Sequence, residues 1–228
     1  MPRIARGHFE RGCFHVLNRG NHRQALFHEA DDYALFLELL SQSQARFDVK
    51  LWSYCLMGNH WHLVVEVEKM EHLSGWMHWI CNRHVRLTHR NRQEWGGGHI
   101  YQGRYKSFPI QDESYLYDVM RYVEANSVRA GLVAHGRDWL WSSLATSPIK
   151  RGLIVQDRPR LEPWVRNEAW EAAVDQPQEE HRIASLKQSI QRGTPQGDAA
   201  WVQRFAAENG LESTLRPRGR PRKINATQ

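Results

Sequence analysis

"KLWSYCLMGNHWHLVVEVE", residues 50–68, sets two runs of apolar and β-branched residues on either side of Gly58-Asn59. A Gly-Asn join between two such runs is the signal of a two-residue hairpin turn, so the stretch predicts a pair of antiparallel strands. Side chains alternate along a strand. Trp61, Leu63, Val65 and Val67 therefore share an apolar face that belongs to a core. His60, His62, Val64 and Glu66 share the opposite face, with two imidazoles close to the turn. Imidazoles so spaced can chelate one divalent metal. They can equally be two solvated surface histidines, and thirteen histidines in 228 residues deliver such a pair readily by chance. The strand alone leaves both readings open. Glu66 can orient an imidazole from this face or stand as a solvated carboxylate.

Outward from the hairpin, the rest of the chain supplies a fold. "GCFHVLNRG" (12–20) predicts a first strand, and residues 29–47 a helix with apolar positions at helical spacing and acids in its first turn. Residues 71–91 predict a second helix, followed by a connector at Gly96, Gly97 and Gly98. "HIYQGRYKSFPIQ" (99–111) reads as a fourth strand, with Pro109 weakening its end. Residues 112–131 predict a third helix that stops near Gly131. The order β-α-β-β-α-β gives an α+β, ferredoxin-like sheet with two helices on one face and the other face open to the third. The expected organisation is a domain over 1–148, a helical, charged extension over 149–210, and a basic disordered tail over 211–228.

Composition narrows the function classes. Apolar residues make up 41% of the chain, enough for a globular core. A net charge of +6 and a pI near 9.4 suit a polyanionic partner. Cys13, Cys55 and Cys81 form no C-x-x-C pair, which argues against a cysteine zinc site or a disulfide framework and fits a reducing cytosol. Neither a secretory signal nor an apolar run of membrane-spanning length stands out, so no membrane association is expected.

The third predicted helix carries Tyr115, Tyr117 and Tyr122, and only Tyr122 has an amide four residues on, at Asn126. Residues i and i+4 lie on one helical face, so a phenol and an amide oxygen are presented together. A tyrosine on a helix is more often a packing residue than a nucleophile. Here "GNHWHLVVE" (58–66), "YQGRYKS" (101–107) and "RYVEANSVRAGLV" (121–133), in this order and spacing, resemble the REP-associated tyrosine transposases, as does "NRGNHRQALF" (18–27). These belong to the single-tyrosine HUH nucleases, which act on single-stranded DNA. The resemblance covers roughly residues 5–145. Many insertion-sequence members carry glutamine four residues after the tyrosine, whereas Asn126 matches the REP-associated branch.

The resemblance implies a metal-dependent endonuclease and strand-transferase for single-stranded or hairpin DNA in the bacterial cytoplasm, at the nucleoid. His60, His62 and Asn126 would hold Mg²⁺ or Mn²⁺, and Tyr122 would attack the phosphorus, leaving a 5′-phosphotyrosine and a free 3′-OH. No organic cofactor is implied, and monomer or homodimer is left open. For DNA contact, Gln102, Arg104 and Lys106 alternate on the expected fourth strand, and Arg19, Asn21 and Arg23 crowd the turn after the first. The tail carries "RGRP" (218–221), an AT-hook-like core in which Arg218, Arg220, Arg222 and Lys223 would reach a narrow minor groove. The rival readings are a non-catalytic DNA-binding regulator and an RNA-binding ferredoxin-like module. The latter reads RNA with sheet-face aromatics, where this sheet presents histidines.

Overall fold

The computed structural model describes residues 11–93, 98–145, 153, 155 and 168–216. Its sheet has four antiparallel strands: β1 (Gly12–Arg19), β2 (Val49–Met57), β3 (His60–Val67) and β4 (Lys106–Ile110), in the order β2-β3-β1-β4. Helix α1 (Ala30–Gln44) follows β1, and α2 (Met70–Asn91) follows β3. This is the expected βαββαβ arrangement. Met57 pairs with His60, so Gly58 and Asn59 close a two-residue hairpin. A bulge between Leu51 and Ser53 shifts β2 by one residue. It keeps Leu51, Tyr54 and Leu56 on one face and sends Trp52, Cys55 and Met57 to the other.

The two faces bury separate cores. Phe14, Val16, Trp61, Leu63 and Val65 pack against α1 and α2 through Phe36, Leu40, Trp76 and Ile80. On the opposite face Cys55, Met57 and Val64 meet Val119, Met120 and Val123 of α3 (Glu113–Glu124). Asp112 caps α3, its carboxylate accepting from the backbone N–H groups of Ser114 and Tyr115.

The single helix expected over 112–131 is two. It breaks at Ala125 (ψ 2°), and α4 (Asn126–Arg129) continues it. Gly131, at φ +68°, ends α4, and Leu132 N–H reaches back to Ser127 C=O, the closing bond of a Schellman turn. The fourth strand is also shorter than expected. Residues 99–105 are irregular apart from a bridge between Tyr101 and Gly20. Pro109 sits inside β4, where its C=O points outward to accept from Gln196 N–H. Its missing N–H therefore faces away from the β1 ladder, and the strand loses no bond to its neighbour.

Helices α5 (Glu168–Asp175), α6 (Glu180–Arg192) and α7 (Ala199–Glu208) form the extension. Arg121 on α3 donates to the carbonyls of Ala173 and Gln176 at the end of α5. Asp118 forms an ion pair with Arg182 of α6. Gln196 pairs with Ile110 and covers the β4 edge, while Trp141 and Ser143 exchange backbone bonds with Leu56 and Tyr54 along the β2 edge. Residues 212–214 form a 3₁₀ turn with Leu211 and Thr214 buried, so the chain stays packed beyond the expected tail boundary at 211. Gly96, Gly97 and residues 217–228 lie outside the described residues. No helix among the described residues is long and apolar enough to cross a membrane.

Candidate active site

The hairpin places the first histidine and the sheet centre places the second. His60 opens β3 beside the turn, and its Nδ1 lies 2.7 Å from Asn59 Oδ1. A carbonyl oxygen only accepts, so Nδ1 carries the proton and Nε2 keeps its lone pair. His62 lies opposite Leu17 of β1 and Cys55 of β2, and is 3% exposed. Two residues before Leu17, on the same face, stands His15, its Nε2 2.8 Å from His62 Nδ1. The His60 and His62 ring centroids are 5.0 Å apart, as are those of His15 and His62. His15 belongs to no motif in the sequence. The signal for it was the alternation Cys13, His15, Leu17, Arg19 on β1, readable once β1 is paired with β3.

The third helix brings its tyrosine to the same place. Tyr122 is 7% exposed, with its ring edge-on to His62 at 6.2 Å and to His15 at 6.3 Å. Tyr117 instead meets Trp170 of α5 at 5.0 Å, and Tyr115 lies by Asp112, Asp198 and Arg182. Arg129 joins Tyr122 to Asn126: its Cζ sits 3.9 Å from the Tyr122 ring centroid, and Nη2 donates to Asn126 Oδ1 at 2.7 Å. Asn126 Nδ2 donates to Val123 C=O. The structure thus gathers His60, His62, Tyr122 and Asn126, and adds His15 and Arg129, which the sequence reading missed.

Glu66 does not join them. It faces Lys50 at 3.5 Å, at the other end of β3, and His15 takes the orienting position at His62 instead. Four residues of strand separate Glu66 from His62, about 13 Å.

Burial and neighbouring cations keep the three imidazoles neutral. Burial, then Arg129, pushes His15 down to about 3. Burial, then Arg19 and Arg129, pushes His60 down to about 4. His62 lies well below its ordinary value, from burial and then from His15, His60 and both arginines. Among the described residues no group of three or more His, Cys, Asp or Glu is placed to hold a metal ion.

The expected DNA contacts divide. Gln102 N–H donates to Arg19 C=O, Asn21 N–H to Ile100 C=O, and Asn18 Nδ2 to Gly103 C=O. These bonds stitch the turn after β1 to the segment before β4, and Arg19, Asn21, Arg23, Gln102 and Arg104 gather at the His60 end of the sheet. The turn is tight. A Cβ on Gly20 would clash with Gln24 C=O, and His22 and Arg23 sit at positive φ. Because β4 begins only at Lys106, Gln102 and Arg104 do not share a strand face with it. The Lys106 ammonium turns to Ile190 C=O of the extension, 2.8 Å away. Arg218, Arg220, Arg222 and Lys223 lie outside the described residues.

No curated protein matches this sequence. Among solved structures, a REP-associated tyrosine transposase bound to a REP hairpin is similar with a TM-score of 0.52 and 18% identity, over 70% of this chain and 96% of that one. A Deinococcus radiodurans R1 protein described as a transposase aligns over 54% of this chain and 96% of its own, with a TM-score of 0.38 and 14% identity. The first likeness establishes the shared fold. The family model described as "Transposase IS200 like" matches residues 9–126, which hold the whole sheet and α3, with Asn126 as the last residue matched. With its sheet, its histidine pair and its helix-borne tyrosine inside that match, the chain belongs to the IS200-like transposase family.

Proposed function

We propose that this protein is a metal-dependent, single-stranded DNA endonuclease and strand-transferase that acts on palindromic, REP-like hairpins through a 5′-phosphotyrosine at Tyr122. The observation that carries the reading is the seat of Tyr122, with its ring against His62 and His15 and Asn126, at the start of α4, joined to it through Arg129. The REP hairpin held by the structurally similar transposase supports the substrate class.

The donor set fits Mg²⁺ or Mn²⁺. His60 and His62 are neutral, and each has Nδ1 engaged by a neighbour, which leaves Nε2 for a ligand. Asn126 Oδ1 accepts one bond from Arg129 and retains a second lone pair. A bound divalent ion would polarise the scissile phosphate. The protein's own groups do the rest. Tyr122 supplies the oxygen that forms the new O–P bond, and its phenolic proton is lost as that bond forms. The bond to the 3′-oxygen breaks, and that oxygen takes up a proton to leave as a 3′-OH. The phosphotyrosine keeps the bond energy, so a later 3′-OH can reverse the step and join strands without ATP.

His60→Ala and His62→Ala test the reading. Each should abolish cleavage of a hairpin oligonucleotide in Mg²⁺ buffer and leave its binding within about threefold, because affinity comes mainly from phosphate and base contacts. Binding by the wild type with no cleavage in Mg²⁺ or Mn²⁺ would instead favour a DNA-binding regulator.

A further inference from the structure

Arg129 is a side chain at this site whose charge no carboxylate among the described residues neutralises. It is exposed, yet its guanidinium is held in place with Cζ over the Tyr122 ring and by Asn126 Oδ1 at one edge. Among the described residues it makes no ion pair, and neither does Arg19. Arg19 lies directly opposite His60 across the β1–β3 ladder. Both cations act electrostatically on His60 and His62, so two guanidiniums that no described carboxylate neutralises converge on the histidine pair. Like charges gathered without a carboxylate repel one another and lower stability. Such an arrangement is favourable once an anion sits between them. A guanidinium with one edge bound still presents free N–H groups in a planar fork that matches two phosphate oxygens.

We propose that Arg129, assisted by Arg19, is the anion seat of this site: it binds the non-bridging oxygens of the phosphodiester that Tyr122 attacks. The assignment rests on the endonuclease reading for its reaction, though not for its ligand class, a phosphate or its tetrahedral mimic. Seated over the ring that carries the nucleophile, Arg129 holds phosphate and phenol in one frame. It meets the negative charge that builds on the non-bridging oxygens as the fifth O–P bond forms. Its second function is to hold the Asn126 amide oxygen in position. Arg19, from the sheet side, bears on the same anion and sets how deeply the strand enters.

Tungstate, a tetrahedral phosphate mimic, tests the ligand independently of turnover. Soaked crystals of the full chain should show it hydrogen-bonded to Arg129, and crystals of Arg129→Gln should not. Single-turnover adduct formation on a hairpin oligonucleotide tests the reaction. Arg129→Gln should slow it about 10²–10³-fold, the usual cost of one preorganised donor to an oxyanion. Hairpin Kd should stay within about threefold, since one phosphate contact among many is lost. Arg129→Lys keeps the charge without the fork and should recover at least tenfold of the rate. No tungstate at Arg129 in the wild type would overturn the assignment. So would an adduct rate in Arg129→Gln within threefold of wild type, or an Arg129→Lys as slow as Arg129→Gln. Tungstate on Arg129 in a wild type that forms no adduct would overturn the endonuclease reading and leave the anion seat standing.

Discussion

The hydrogen bond between His15 Nε2 and His62 Nδ1 occupies one nitrogen of each buried ring and leaves Nε2 as the second nitrogen of His62. Because both rings are held neutral, one must donate and the other accept. The arrangement in which His62 Nδ1 donates presents the Nε2 lone pair to a ligand, and His15 then acts as an orienting acceptor. Partners of this kind are worth about 10–100-fold in metal affinity or activity. His15→Phe keeps a ring of similar size next to Phe108 and removes the acceptor. The variant should fold, bind a hairpin oligonucleotide with little change, and cleave it about 10–100-fold more slowly at fixed Mg²⁺. Wild-type cleavage in His15→Phe would show that His62 needs no partner. His60 differs in that its partner is the neighbouring turn residue Asn59, so the hairpin that sets the strand register also sets the tautomer of the ring.

At the scale of elements, α3 is held from both sides. One side packs on the sheet through Val119, Met120 and Val123. The other meets the segment along the β2 edge and the extension, where Glu124 is wholly buried and accepts from Ser143 Oγ at 2.5 Å and from Trp170 Nε1 at 2.6 Å. A buried carboxylate is costly unless hydrogen-bonded. The two donors come from segments 19 and 46 residues away, so Glu124 ties α3 to both. Trp170→Phe removes the indole donor and part of a buried ring, and should destabilise the protein by about 2–3 kcal/mol in urea unfolding. An unchanged midpoint would mean that α3 does not depend on this anchor. The sequence showed Glu124 only as an acid on an amphipathic helix, because its partners are distant in the chain. The hairpin, both sheet-covering helices and the face of the histidine pair were legible from local signals: alternation, helical spacing and turn residues. The break at Ala125 was not, since alanine favours continued helix. The short β4 was hidden for a related reason. "HIYQGRYKSF" has the composition of a strand, but residues 99–105 spend their backbone groups on the turn after β1.

For the whole molecule, buried histidines link stability to pH. His84 is fully buried, its Nδ1 2.7 Å from Tyr101 Oη, and burial is the main cause that pushes it down to about 3. As pH falls below 6.5 the unfolded chain takes up a proton there that the folded chain refuses. The stability from His84 is complete above 6.5 and drains away as pH falls toward 3. Between pH 6.5 and 5 the loss is about 2 kcal/mol for this one group, and His15 and His60 act in the same direction. Denaturation midpoints should therefore fall from pH 7 to pH 5, and His84→Asn should flatten that fall even while lowering the plateau. Parallel curves for the two proteins would assign the acid sensitivity elsewhere. The same fold that keeps these rings neutral brings Tyr122 to the histidine pair, where its oxygen is proposed to bond to DNA. Incubation of the wild type with a hairpin oligonucleotide and Mg²⁺, then protease digestion and peptide mass spectrometry, tests it most directly. A 5′-phosphonucleotide is expected on the peptide containing Tyr122, absent from Tyr122→Phe and retained at Tyr122 in Tyr115→Phe and Tyr117→Phe. A nucleotide on Tyr115 or Tyr117, or an adduct that persists in Tyr122→Phe, would contradict it.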